Sequence, residues 1–175
     1  MSLNTTIPMS SGQQGLWFLC QSDPKVAAAY NVVLAFESGS LLDEERLAAA
    51  WMATCLRHSL LAARVESVNH VPSFVLDDDV VTSLSFVDGV LDEIATADSS
   101  RPIDTARGPL HRLTYVRGIE GAPCGLVMTL HHLVFDHGSV DPLMNSLAAA
   151  WRDATGTDKL AGTRDLGTHT QSVAA

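Results

Sequence analysis

Positive charge is scarce in this chain of 175 residues: 11 Lys and Arg stand against 20 Asp and Glu, for a net charge of -9. That surplus repels a phosphate backbone, and no basic cluster offsets it locally, so no nucleic-acid partner is expected. Long hydrophobic runs are missing as well. No apolar stretch approaches the roughly 18 residues of a membrane span, and Met1 to Ser10 lack the basic start and apolar core of a secretory signal. A cytoplasmic protein that does not cross the membrane is the expectation. Cysteines are few and odd in number: Cys20, Cys55 and Cys124 lie far apart in apolar segments, which favours reduced, buried thiols over a disulfide framework. What remains is a chain 46% hydrophobic and 18% charged, the profile of a folded globular domain.

Local signals alternate between helix and strand. Ser10 and Ser11 can cap a helix through Leu16, Trp17 and Leu19 to about Gln21, with Asp23-Pro24 as its stop. Tyr30 to Phe36 is β-branched and aromatic and ends at Ser38-Gly39-Ser40, a strand and a turn. Asp43 caps a second helix reaching about Ser59, with Leu47, Ala50, Trp51, Thr54 and Cys55 at helical spacing. Leu61 to Val65, Ser73 to Leu76 and Ser83 to Val87 are short strand patterns, Asp77-Asp78-Asp79 a solvated loop, and Val90 to Ala97 a further helix. Leu110 to Val116 and Cys124 to Leu130 form a hairpin across a Gly- and Pro-rich turn, the second strand being apolar enough for burial on both faces. Ser139 to about Ala154 carries one apolar stripe, with Ser139 as cap and Pro142 in the first turn. The fold class expected is α/β: one mixed, largely antiparallel sheet covered by helices. Residues 1–156 form this unit, and 157–175, without period or aromatic residue, read as a flexible tail or linker.

Chemistry concentrates where the last strand runs into His131-His132, with Asp136 four residues beyond His132. Side chains gathered between a buried strand and a helix-opening loop sit on rigid supports. Strand parity sends His131 and His132 to opposite faces, so one imidazole at most meets a substrate. A structural reading stays open, in which one imidazole packs in the core and Asp136 caps the turn at Ser139. A metal is not expected, although His131, His132, Asp136 and His137 are suitable ligand types, because adjacent strand histidines diverge and the others are scattered. No Gly-x-Ser-x-Gly elbow points to a nucleophilic serine.

Several segments in order resemble the condensation domains of nonribosomal peptide synthetases. Ser10-Ser11-Gly12-Gln13-Gln14-Gly15-Leu16-Trp17 is similar to the opening pattern SxAQxRLW, with Gly12 and Gly15 departing from it. Arg57-His58-Ser59-Leu60-Leu61-Ala62-Ala63-Arg64-Val65 resembles RHExLRTxF in degraded form. Arg101 to Leu110 looks like the segment before the catalytic strand, and His131-His132-Leu133-Val134-Phe135-Asp136 matches HHxxxDG, with His137 in place of the Gly.

The resemblance implies the N-terminal lobe of a chloramphenicol acetyltransferase-like domain, working in natural product biosynthesis with a C-terminal lobe missing here. It implies amide formation between acyl and aminoacyl thioesters on the phosphopantetheine arms of peptidyl or acyl carrier proteins. No cofactor is bound directly. His132 would act at the attacking amine, with His131 and Asp136 as supports. In the family that Asp pairs with an arginine; Ala62 stands where one is usual, leaving Arg57 or Arg64, or His137 as the positive charge. His137 also gives up the backbone freedom of Gly. The alternative is a noncatalytic remnant that binds carrier proteins or scaffolds its neighbours. A lone lobe would expose the apolar surface meant for its partner, so self-association is expected.

Overall fold

The protein, described here by a computed structural model over residues 5–76 and 82–154, divides its strands between two sheets. The smaller has the order β1-β4-β3, from β1 (Thr5–Pro8), β3 (Arg64–Val68) and β4 (Val71–Leu76), all antiparallel. The larger has the order β2-β7-β6-β5, from β2 (Asn31–Ser38), β5 (Leu84–Gly89), β6 (His111–Gly118) and β7 (Cys124–His131). Its β2/β7 and β6/β7 pairs are antiparallel and its β5/β6 pair is parallel. The expected single mixed sheet is thus corrected to two, because strand partners are chosen by long-range contacts that local periodicity does not encode.

Among the described residues five α-helices pack on these sheets: α1 (Ser11–Cys20), α2 (Pro24–Ala29), α3 (Glu44–Arg57), α4 (Leu91–Ser99) and α5 (Val140–Asp153). Ser10 caps α1 in a reciprocal box with Gln13, and Asp43 caps α3 through the Arg46 amide, as the sequence leads one to expect. Asp23-Pro24 begins α2 rather than merely ending α1, since an Asp cap followed by Pro at the first helical position is a start signal. The expected strand over 61–65 is a 3-10 turn over Ser59–Ala62 followed by β3. Asp77 to Asp79 and the expected tail 157–175 lie outside the described residues.

β7 is the centre of the larger sheet, and its burial on both faces follows from helices on each side. Leu126, Met128 and Leu130 pack with Trp51 and Cys55 of α3 and with Leu143, Leu147 and Trp151 of α5. Val127 packs with Leu91 of α4 and Val116 of β6 on the other face. A third core, of Met9, Val65, Phe74, Ile103, Leu110 and Leu133, fills the space under the smaller sheet, with Leu16 and Trp17 of α1 against it. The β6-β7 hairpin closes tightly at Gly118, where an added Cβ would meet the Ala122 carbonyl oxygen at 1.9 Å. Cys20 and Cys55 are buried free thiols, the latter pushed up to about 12 by burial, while Cys124 is only half-buried.

Candidate active site

The loop after β7 is anchored in two places at once. Leu133 is buried in the core of the smaller sheet, Phe135 in the core of the larger, and Val134 packs against both. Gln13 of α1 reaches the loop as well, its Nε2 donating to the Leu133 carbonyl at 2.8 Å. Trp17 of the same helix donates to Thr105 Oγ1 at 3.3 Å, which ties the 101–110 segment to α1. Gly108 is needed there: it has φ of 64°, and a Cβ would lie 2.7 Å from the Ala63 carbonyl oxygen.

The two histidines part as parity requires. His131 is fully buried, while His132 is exposed. Nδ1 of His131 accepts the Leu133 amide at 3.1 Å, and burial lowers this imidazole to about 4, so it is neutral at physiological pH. His132 is one residue past the end of β7, its amide donating to Tyr30 O at 2.9 Å and its ring stacked on Tyr30, centroids 6.4 Å apart. Its Nδ1 lies 2.7 Å from the Phe135 carbonyl, which can only accept, so Nδ1 carries the proton. In the neutral ring Nε2 is therefore the bare, basic nitrogen.

Asp136 is exposed and has turned back on its own loop. Ser139 Oγ donates to Asp136 Oδ1 at 2.6 Å, and the same hydroxyl accepts the Asp136 amide at 3.4 Å, a reciprocal cap of the 3-10 turn over His137–Ser139. Ser139 thus serves this turn and does not cap α5 with its side chain. The Ser139 hydroxyl, and to a lesser degree the nearby His132, hold the Asp136 carboxyl below its ordinary range. Of the arginines considered for it, Arg64 pairs with Glu66, and Arg57 lines the same groove as Asp136 without an ion pair to it among the described residues. Because the carboxylate is exposed, the desolvation cost that would demand an arginine does not arise. His137 is exposed and lies outside the set of positive-φ residues, and a Cβ added at the neighbouring Gly138 would meet Asp136 Oδ1 at 3.6 Å, an ordinary contact. Replacing the motif glycine by His137 therefore imposes no backbone strain.

A groove of about 610 Å³ runs beside this turn, bounded by Arg57, His58, Leu60, Phe135, Asp136 and Pro142. His132 does not line it. The exposed imidazole stands beside Tyr30 instead. No group of three or more potential metal ligands comes together among the described residues.

Sequence reasoning missed the part played by Gln13, although it stands inside the opening segment, because its target is a backbone carbonyl 120 positions away. It also left His111 as a scattered histidine. This ring is fully buried at the start of β6, accepting at Nε2 from Trp51 Nε1 and the Ser83 amide, each at 3.2 Å, and bonding Leu61 O through Nδ1 at 2.9 Å.

Comparison with known proteins follows the same line. The family described as Condensation domain matches residues 3–164. Phosphinothricin tripeptide synthetase PhsC of Streptomyces viridochromogenes is 31% identical over 163 residues, 87% of this chain and 15% of that protein. Polyketide synthase PksN of Bacillus subtilis is 28% identical over 155 residues, 83% of this chain and 3% of that protein. Among solved structures, the starter condensation domain of rhizomide synthetase superposes with a TM-score of 0.75 at 16% identity, over 89% of this chain and 40% of that one. The condensation domain of a Monacolin K polyketide synthase superposes with a TM-score of 0.73 at 17% identity, over 90% and 36% of the two chains. These superpositions speak for the fold. The chain spans a small part of the curated relatives it matches. No described helix is long and apolar enough to cross a membrane.

Proposed function

The chain belongs to the condensation-domain family, and from that premise we propose that it forms one lobe of an amide-forming acyltransferase in which His132 acts on the attacking amine. The observation that carries this reading is the orientation of His132: Nδ1 is occupied by the Phe135 carbonyl, and the ring stands exposed at the end of β7. Nε2 is then the atom that takes a proton. The amine nitrogen of an acceptor aminoacyl thioester attacks the carbonyl carbon of a donor acyl thioester. His132 Nε2 accepts the proton released as the C–N bond forms, and returns it to the departing thiolate as the C–S bond breaks. The Phe135 carbonyl also steadies the imidazolium in between, since the Nδ1–H bond strengthens when the ring is charged.

His131 and Asp136 are positioning groups in this scheme, one holding the inner side of the loop and the other its exit. Both thioesters are carried on phosphopantetheine arms of peptidyl or acyl carrier proteins, and a second lobe completes the site. The test is His132→Ala in the assembled domain with both carriers loaded. Amide formation is expected to fall by about 10²–10⁴, the usual share of general acid–base catalysis. Product formation at the unaltered rate would refute the assignment.

A further inference from the structure

Two buried polar side-chain atoms have no hydrogen-bond partner among the described residues: Oδ1 of Asn31 and Nε2 of His131. They belong to opposed residues, for Asn31 and His131 are register partners in the antiparallel β2/β7 pair. One step outward the His132 amide donates to Tyr30 O. Ladder bonds alternate along such a pair, which makes Asn31/His131 a non-hydrogen-bonded position, where side chains on a shared face stand closest, with Cα atoms roughly 4.5 Å apart.

The two atoms are also complementary. Because His131 Nδ1 accepts the Leu133 amide, the proton of the neutral ring sits on Nε2, which is then a donor. Asn31 Nδ2 donates to Arg101 O at 2.9 Å, which sets the orientation of the amide and leaves Oδ1 as an acceptor. A buried donor and a buried acceptor, each left unmade, would carry their full desolvation penalties. His131 also bears the turn itself: its ring takes the Leu133 N–H and its carbonyl takes the Val134 N–H at 3.0 Å. Should the ring change tautomer, Leu133 N–H would face another N–H and the turn that presents His132 would lose a bond.

We propose that Asn31 is a positioning residue of this site: its Oδ1 receives the Nε2–H of His131 through a single bridging water, and so locks the tautomer on which the His132 turn depends. The consequence for turnover rests on the role assigned to His132; the hydrogen bond itself does not. Two measurements separate these. In the free chain labelled with 15N-histidine, His131 is expected as the Nε2–H tautomer, its proton protected from exchange. Asn31→Leu, similar in size and without an acceptor, should speed that exchange about tenfold or more, whereas Asn31→Asp, which keeps the oxygen, should preserve the protection. In the assembled domain Asn31→Leu should lower kcat about tenfold or more with KM for the acceptor unchanged, and Asn31→Asp should restore most of the loss. An Nδ1–H tautomer of His131 in the unaltered chain overturns the proposal, and so does exchange that a folded Asn31→Leu chain leaves untouched. If Asn31→Leu does not fold, Asn31→Ala, which also removes the acceptor, takes its place in the exchange measurement with the same two outcomes. A failure of the His132 role would instead show as full activity in His132→Ala, with the tautomer measurement standing.

Discussion

His111 and His131 are two imidazoles that the fold keeps neutral, each lowered by burial to about 4. An unfolded chain has both near the ordinary value of about 6.5, so between those limits it binds protons that the folded chain refuses. Stability is therefore fully present above about 6.5 and declines as the pH falls toward about 4, by on the order of 3 kcal/mol for each ring. Asp136 adds to the decline at lower pH still, since its depressed carboxyl supports the turn until it is protonated. Urea midpoints recorded across pH 7 to 4 should trace this slope, and His111→Gln, which keeps an acceptor for Trp51 and does not titrate, should flatten it by about half. A His111→Gln curve parallel to that of the unaltered chain would mean that His111 is not a source. At this scale the sequence was informative up to a point. Parity alone separated His131 from His132, because the alternation of a strand is a backbone property. Which nitrogen of His132 is bare could not be read, as it depends on a carbonyl that the loop folds back to the ring.

Among the elements, α4 is held to the larger sheet by a buried carboxylate. Asp98, 7% exposed, receives Arg112 from β6 at 3.1 Å and Arg101 at 2.8 Å, and Thr129 of β7 donates to its other oxygen. Arg112 further donates to the backbone carbonyls of Asp98, Arg101 and Pro102. Arg112→Met leaves that carboxylate without the more buried of its two arginines and should cost about 3–5 kcal/mol in chemical denaturation. Removing both charges in Asp98→Leu/Arg112→Met should cost less than the single change; an additive loss would show that the pair does not act as one unit. The helices and the hairpin that bracket this clamp were legible from caps, stripes and the Gly- and Pro-rich turn. β1 was not, being four residues beside the chain start, and α2 was not, being six residues without room for a period. The parallel β5/β6 pairing and the division into two sheets were beyond any local signal, because both are set by which surfaces bury against one another across the whole chain.

For the whole molecule, the decisive join is the loop from His131 to Asp136, where Leu133 and Phe135 enter two different cores and Val134 touches both. A loop shared in this way transmits the loss of one core to the other, so the two sheets should unfold as one cooperative unit in spite of lacking a strand pair in common. The three tryptophans allow this to be read: Trp17 reports on the smaller sheet, Trp51 and Trp151 on the larger. Fluorescence of a Trp17→Phe chain and of a Trp51→Phe/Trp151→Phe chain should each coincide with far-UV circular dichroism along a denaturant titration. Leu133→Ala, which empties a position 2% exposed, should cost about 2–5 kcal/mol and split those transitions, the smaller sheet melting first. Transitions that already separate before Leu133 is changed would show that the sheets are independent and that the loop merely lies between them. Coincidence would tie the geometry of His132 to the integrity of both cores, so that a substitution deep in either one reaches the His132 imidazole through the backbone of this loop.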